Sequence, residues 1–210
     1  MLSMLMDHAG LLLFPQLEFL RVAGRLAFPI FAYMIAEGCR YTRSRGRYLG
    51  MIALLAAVCQ IVYYIFDGTL YFSVLATFCL AILSIYALDA WKAAPKVGTT
   101  VVLFGTLMAV YVLNRIFIID YGFWGCMVPF LVSIPDGTKY DRLSIRVGCL
   151  GIGLLLLAMS LGGIQYWSLL SLPVLLCYNG KRGKWKMKYF FYIFYPLHLA
   201  VLQGMVYFMH

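Results

Sequence analysis

Long apolar stretches alternate with short polar ones along almost the whole chain. A helix rises about 1.5 Å per residue, so about 20 residues cross the hydrocarbon core of a bilayer. The stretches lack the period-two alternation that a transmembrane β-barrel requires. The pattern therefore predicts an all-α, polytopic membrane helix bundle with about nine transmembrane helices. The predicted helices cover residues 2–14, 25–38, 49–66, 69–89, 97–113, 117–134, 146–162, 165–178 and 189–208.

The first two of these stretches are too short to cross a bilayer as straight helices. We expect residues 2–14 and 25–38 to be half-spans, or helices whose ends carry polar residues into a cavity. The segment between them, from Pro15 to Ala23, contains Glu18 and Arg21. This mixture of apolar and charged residues predicts an interfacial connection.

Composition agrees with this pattern. Hydrophobic residues make up 64% of the chain and charged residues 12%, with a mean hydropathy of +0.88. A soluble domain of this length needs far more polar surface. The sequence contains no linker, low-complexity tract or polar domain, so we expect residues 1–210 to form a single membrane domain.

The cationic residues predict the orientation. With the N-terminus in the cytoplasm, the outer side keeps Arg21, Arg25 and Arg115 of the seventeen Lys and Arg residues. All the others fall in four inner loops, as the positive-inside rule requires. The net charge of +9 is thus a topology signal, and it gives no reason to expect nucleic-acid binding, because the cations are divided among short loops.

Six cysteines are scattered through the apolar stretches, and none forms a CxxC pair. We interpret them as small packing residues and predict neither a zinc site nor redox chemistry. A metal site made by His8, His198 and a carboxylate has no supporting ligand spacing, so no metal is predicted.

Ionisable residues inside membrane helices are costly unless paired or hydrated, and they are therefore candidates for function. By depth, Asp7, His8 and His198 fall near mid-membrane, and Arg25 and Asp120 lie further out. They converge on one cavity if the first, second, sixth and last helices are neighbours. Structural alternatives remain open at this point: a helix-linking histidine, a snorkelling Arg25, Asp120 as a helix cap, or Asp7 paired with Arg25 or Arg115.

A histidine near a carboxylate is suited to proton transfer. An imidazole takes a proton from an alcohol or amine nucleophile, and a nearby carboxylate orients the ring and stabilises its charged form. Asp7 and His8 point about 100° apart on a helix and need not touch each other. Glu37, at the inner end of its helix, is expected to pair with Arg40 or Tyr41.

Two inner loops, 40–47 and 181–188, are dense in cations with interleaved aromatic residues. One interpretation is topology plus attraction to anionic lipids. The other is a cytoplasmic landing site for a phosphorylated donor, such as a nucleotide-bearing thioester.

Several motifs carry a resemblance to a known family. The segment GRLAFPIFAY (24–33), followed by AEG (36–38) and YTR (41–43), resembles the signature of the TraX-like membrane acyltransferases. That family takes its name from a conjugal-transfer protein that acetylates pilin. MDHAG (6–10), IDYGFWG (119–125) and FYPLHL (194–199) resemble its Asp-His-x-Gly, Asp-Tyr-Gly-x-x-Gly and Phe-Tyr-Pro-x-His-Leu elements. The matches span nearly the whole chain in the same order.

The resemblance implies an acyl-CoA-dependent acetyltransferase of the transmembrane acyltransferase superfamily, in a bacterial cytoplasmic (inner) membrane. Acetyl-CoA is then the donor substrate. The acceptor stays open among a peptide amine, a sugar hydroxyl and a lipid headgroup, because fold does not fix substrate.

Under this hypothesis the residues take the following roles. His8 is the general base or accepts the acetyl group transiently, and Asp7 or Asp120 orients its ring. Arg25 or Asn114 stabilises charge on the thioester oxygen. Tyr195 and His198 line the pocket and position the donor. The donor's phosphates lie near the cations of the inner loops: Arg40, Arg43, Arg45, Lys181 and Arg182.

Two rival classes predict different behaviour. A small transporter or flippase uses the same buried polar groups to bind substrate or carry protons, without recognising CoA. A membrane scaffold has no small-molecule site, so it tolerates replacement of Asp7, His8 and His198 apart from effects on stability.

Overall fold

The structure is a computed structural model that describes residues 1–68, 70–180 and 188–209. In this part of the chain every regular element is a helix. The α-helices and one 3₁₀ helix, η1, are α1 (Leu2–Leu12), α2 (Glu18–Gly24), α3 (Ala27–Tyr41), α4 (Arg45–Asp67), α5 (Val74–Ala93), α6 (Val97–Ile116), α7 (Gly122–Ser133), α8 (Leu143–Leu161), η1 (Gly163–Leu170), α9 (Ser171–Leu176) and α10 (Lys188–Met209).

Each predicted apolar stretch contains a helix, and the prediction of an all-helical protein is confirmed. The predicted interfacial connection is partly wrong, because α2 begins at Glu18 and leads almost directly into α3. Five segments are long and apolar enough to cross a membrane: Glu18–Tyr41, Arg45–Phe66, Val74–Ala93, Val97–Ile116 and Leu143–Leu161. Three shorter apolar helices accompany them: Gly122–Ser133, Gly163–Leu176 and Tyr192–Val206. These features are those of a multi-pass membrane protein.

The outer surface of the bundle is apolar. On α6, Val97 is 84% exposed, and Val101, Phe104 and Met108 are each more than half exposed. On α4, Leu54 and Ile65 are exposed in the same way. Contiguous apolar surface of this kind is unfavourable in water and favourable in lipid.

The helix packing brings the polar candidates together. Helix α3 packs against α5 and α7, and α1 packs against α2, α3 and α10. Helix α10 also packs along α4. The side chains of α1, the α2–α3 junction, the turn before α7, and α10 therefore face a common interior.

The three described loops that carry cations meet at one end of the bundle, which we call the basic end. There Arg40 Nη2 lies 2.6 Å from Asp141 Oδ2, and Arg45 Nη2 lies 2.8 Å from Asp89 Oδ2. Lys92 Nζ donates to the carbonyl of Ser133 at 2.7 Å. These contacts join α3, α4 and α5 to the end of α7 and to the loop between α7 and α8.

The opposite end is closed by two connecting segments. Phe72 and Ile119 form an isolated parallel bridge, with Phe72 N donating to Ile118 O and Asp120 N donating to Phe72 O. This pairing fixes Asp120 against the start of α5.

Candidate functional site

The most tightly held polar pair joins Asp7 of α1 to Arg25. Arg25 Nη2 lies 2.5 Å from Asp7 Oδ1 and 2.6 Å from Oδ2. Both side chains are largely buried, at 12% and 15% exposure, and Arg21 Nε lies 3.9 Å from Asp7. Of the two partners that the sequence left open for Asp7, the structure selects Arg25. Charge-assisted contacts of this kind are the strong ones.

Arg25 reaches Asp7 because α1 and α2 approach each other very closely. Gly24 packs on the backbone and Cβ of Asp7, so that a Cβ at this position would overlap with both. Ser3 Oγ, on α1, donates to the carbonyls of Ala23 and Gly24 at 2.7 and 3.2 Å. The absence of a side chain at Gly24 therefore sets the distance across which the ion pair forms.

Gly24→Ala is expected to displace Asp7 and to lower the free energy of unfolding by about 1–3 kcal/mol, the usual cost of overpacking. The thermal midpoint in detergent measures the effect. Gly105→Ala on α6 is the matched control, because its Cβ would meet open space and Ala favours the helix. Equal midpoints for the two variants would contradict the close approach.

The second feature is a pair of histidines. His8 Nδ1 lies 3.1 Å from His198 Nε2, although the residues are separated by nearly the whole chain. His198 Nδ1 lies 2.9 Å from the carbonyl oxygen of Phe194. Among the described residues no carboxylate is hydrogen-bonded to either ring. The sequence assigned the orientation of His8 to Asp7 or Asp120, but the Asp7 oxygens are bound by Arg25, and the ring's partner is His198.

Asp120 and Tyr121 enter the site from the turn that precedes α7. Tyr121 has φ 61°, a conformation uncommon for residues other than glycine, and Gly122 follows with φ 58°. This tight turn stacks the Tyr121 ring on Phe28, with centroids 4.0 Å apart, and brings its hydroxyl within 3.5 Å of Arg25 Nη1. The Asp120 carboxyl is hydrogen-bonded to Tyr71. Asp120 is therefore a site residue here and not a side-chain cap of α7.

Two cavities meet at this cluster. The first, of about 360 Å³, is mostly apolar and extends toward the basic end between Met34, Ile35, Ile52 and Leu55. The second, of about 550 Å³, is more polar and extends toward the opposite end past Arg21, Tyr71 and Gln203. Four residues line both: Asp7, His8, Asp120 and Tyr121.

The other predicted site residues are dispersed. Tyr195 lines the first cavity and touches the His198 ring edge-on at 5.3 Å. Asn114 lines neither cavity: its Nδ2 donates to Val110 O and contacts Cys126 Sγ on α7. Because of this position, Asn114 has no part in the mechanism we propose.

Of the predicted donor-binding cations, Arg40, Arg43 and Arg45 lie at the basic end. Both guanidinium nitrogens of Arg40 donate to Asp141, and Arg45 is paired with Asp89, so a phosphate must compete with carboxylates there. Arg43 is exposed. Lys181 and Arg182 lie outside the described residues.

The basic end also contains a buried ion network that the sequence does not predict. Arg146, 3% exposed at the start of α8, contacts Glu37 and lies 3.4 Å from Asp136. Burial raises the pKa of the Asp136 carboxyl, and the Arg146 and Arg40 guanidiniums oppose this shift. The sequence expected Arg40 to pair with Glu37; that pair is 4.0 Å apart and is secondary to Arg146.

The fold and the site together define a polytopic helical membrane protein with a cluster of polar side chains inside the bundle. In residues 1–68, 70–180 and 188–209, no cluster of three His, Cys, Asp or Glu side chains is arranged to hold a metal ion.

The chain belongs to the TraX family: the family model described as "TraX protein" matches residues 1–206. It is also similar to the "Probable fimbrial assembly protein FimC, serogroup H1" of Dichelobacter nodosus. The two are 25% identical over 229 residues, which cover 96% of this chain and 90% of that protein. No solved structure matches the chain.

Proposed function

We propose that this protein is an integral membrane acetyltransferase that moves an acetyl group from cytoplasmic acetyl-CoA to an amine or hydroxyl acceptor at or across the membrane. One observation carries the proposal: the two cavities, one apolar and one polar, share a histidine and its acidic and aromatic neighbours. Membership of a family named for a pilin-acetylating protein supports the same reaction.

The proposed topology has nine membrane crossings in a bacterial inner membrane, with the N-terminus in the cytoplasm. In this arrangement the basic end faces the cytoplasm, as the positive-inside rule requires. The segment Glu18–Tyr41 counts as one crossing, and so does the continuous segment of η1 and α9, Gly163–Leu176. The short helices α1 and α7, of 11 and 12 residues, complete the nine crossings together with the connecting residues at their ends.

The donor enters from the basic end. The apolar cavity is suited to an uncharged pantetheine arm, while the nucleotide's phosphates stay near the exposed cation Arg43. Arg25, which lines the polar cavity and is bound to the junction residue Asp7, offers positive charge to the thioester oxygen as the tetrahedral intermediate forms. Its second nitrogen, Nη1, contacts Gln165 Oε1 at 3.2 Å, which holds the side chain in place.

The chemistry is acyl transfer with a histidine base. His8 removes the proton from the acceptor's amine or hydroxyl while its nitrogen or oxygen forms a bond to the acetyl carbonyl carbon. The carbon–sulfur bond then breaks, and the CoA thiolate recovers the proton from His8. Asp7 is an acidic neighbour that favours the charged imidazolium at a distance and without a direct hydrogen bond, and Asp120 lines the same two cavities.

The acceptor reaches His8 through the polar cavity, from the opposite end. A pilin-related acceptor is favoured by the family's name-giving activity and by the similarity to a protein named for fimbrial assembly. A peptide amine is therefore the first acceptor to test, followed by sugar hydroxyls and lipid headgroups.

Binding of CoA tests this function against transport. At about 100 times its Kd, CoA is expected to raise the free energy of unfolding by about 2.7 kcal/mol. The protein in detergent micelles is heated with and without CoA, with free adenine nucleotide as a control. No shift with CoA or acetyl-CoA would favour a transporter that uses the same buried groups.

Leu55→Trp is expected to fill the apolar cavity and to remove most of the stabilisation by CoA. Leu54→Trp is the matched control, because the Leu54 side chain is 62% exposed on the outer surface of the same helix. Thermal shifts with CoA are compared for both variants. Retention of the full shift in Leu55→Trp would exclude this cavity as the donor channel.

A further inference from the structure

The two histidines are part of a line of hydrogen-bonded groups that ends at a main-chain carbonyl. The line runs from His8 Nδ1 to His198 Nε2 at 3.1 Å, and from His198 Nδ1 to Phe194 O at 2.9 Å. A carbonyl oxygen only accepts hydrogen bonds, so His198 must carry a proton on Nδ1. In the neutral ring this leaves Nε2 as an acceptor.

This assignment determines the tautomer of His8. Because His198 Nε2 accepts, His8 Nδ1 must be the donor, and the free electron pair of His8 lies on Nε2. The carbonyl of Met4, one helical turn before His8, is a second hydrogen-bond acceptor beside this ring. It stands in the same i−4 relation to His8 as Phe194 does to His198.

The contacts of the His198 ring hold it in the orientation in which Nδ1 faces the Phe194 carbonyl and Nε2 faces His8. It is 6% exposed and lies stacked against the Phe194 ring, with centroids 5.1 Å apart and an interplanar angle of 12°. The Tyr195 ring closes the other side edge-on. A ring confined in this way cannot turn to present its other nitrogen without breaking the bond to Phe194.

We propose that His198 is the positioning residue of the acetyl transfer: it fixes His8 in the Nδ1–H tautomer, so that His8 Nε2 is the atom that takes the acceptor's proton. This inference rests on the proposed function. In the Ser-His-Asp triad a carboxylate orients the catalytic histidine; here a neutral imidazole, hydrogen-bonded to a main-chain carbonyl, takes that role.

The proton balance follows from the same line. When the acceptor's nitrogen or oxygen attacks the acetyl carbon, its proton moves to His8 Nε2 and makes His8 an imidazolium. The Nδ1 proton of His8 then forms a charge-assisted bond with His198 Nε2, which spreads the positive charge toward the Phe194 carbonyl. The Nε2 proton passes to the CoA thiolate when the carbon–sulfur bond breaks, and both rings return to neutral.

Two variants at position 198 and one control at position 197 test the role. A glutamine places its Oε1 near the position of Nε2 and still accepts from His8, so His198→Gln is expected to keep transfer within about tenfold of the wild type. His198→Ala removes the acceptor and is expected to lose about 100-fold or more. Leu197→Ala, on the exposed side of the same helix, is the matched control and should transfer normally.

Nitrogen NMR supplies a readout that a merely structural residue would not change. The chain has three histidines, and His210→Ala leaves His8 and His198 as the only ¹⁵N-labelled rings. At neutral pH both are expected to carry the proton on Nδ1. His198→Gln should preserve this tautomer in His8, and His198→Ala should release it.

The outcomes separate the inference from the function. If His8 in the wild type carries its proton on Nε2, or if His198→Ala transfers at the wild-type rate while His8→Ala does not, the positioning role is wrong and the acetyltransferase stands. If the wild type transfers no acetyl group but its NMR tautomers are as expected, the proposed function fails and the hydrogen-bonded line remains.

Discussion

Arg25→Met is expected to destabilise the protein by about 3–5 kcal/mol, because it leaves the Asp7 carboxylate buried without its partner. In a chain of this size such a loss lowers the thermal midpoint by of order 10 °C. Acetyl transfer should fall at the same time, since the variant also removes the cation that lines the polar cavity beside Asp7. The midpoint is measured in detergent, and transfer is measured by label uptake from acetyl-CoA.

Two further variants test this prediction: one is a control outside the site, and the other is expected to restore the lost stability. Arg115→Met changes an exposed arginine outside the site and should shift stability by less than about 0.5 kcal/mol. The double variant Asp7→Asn, Arg25→Met removes both charges and should recover most of the lost stability without restoring transfer. A double variant no more stable than Arg25→Met would contradict the ion pair as the cause.

His8→Ala is expected to reduce acetyl transfer by about 10²–10⁴-fold, the range that a positioned general base contributes. The substitution removes no ion pair, so the thermal midpoint and the stabilisation by CoA should stay near wild-type values. The initial rate of transfer at saturating acetyl-CoA measures the effect. A variant that folds, binds CoA and transfers at the full rate would exclude His8 as the base.

The apolar pattern predicts the helices well because a bilayer imposes long apolar runs on any helix that enters it. It does not predict α2. The stretch around Glu18 and Arg21 resembles an interfacial connection, but Ser3 and Gly24 bind α1 to it and make it part of the bundle. Tertiary packing, which no local pattern carries, decides this element.

The position of a residue along its helix predicts how deep in the membrane it lies. The direction in which its side chain points around the helix axis decides whether it reaches the polar cluster, and the sequence does not give this direction. Asp7 meets Arg25, and His8 meets His198, because the side chains of α1, the α2–α3 junction and α10 point inward. Asn114 lies at a comparable depth, yet its side chain faces Cys126 on α7. The pairing of His8 with His198 joins the two ends of the chain, and no spacing in the sequence reveals such a contact.

The buried network at the basic end shows a different limit. Arg146 follows two other cations, and the sequence predicts it only as one of the loop cations that set the orientation in the membrane. The structure instead buries its guanidinium beside Glu37 and Asp136, over the ring of Tyr33. The sequence alone does not distinguish an arginine that sets the orientation from one that joins helices through buried ion pairs.

The sidedness of acetyl transfer tests the central claim most directly. Radiolabelled acetyl-CoA does not cross membranes, so it reaches the basic end only in sealed inverted vesicles and the opposite end only in right-side-out ones. We predict that inverted vesicles with the wild-type protein label an envelope acceptor, and that His8→Ala vesicles and right-side-out vesicles do not. Equal labelling from both sides, or undiminished labelling with His8→Ala, would contradict the account.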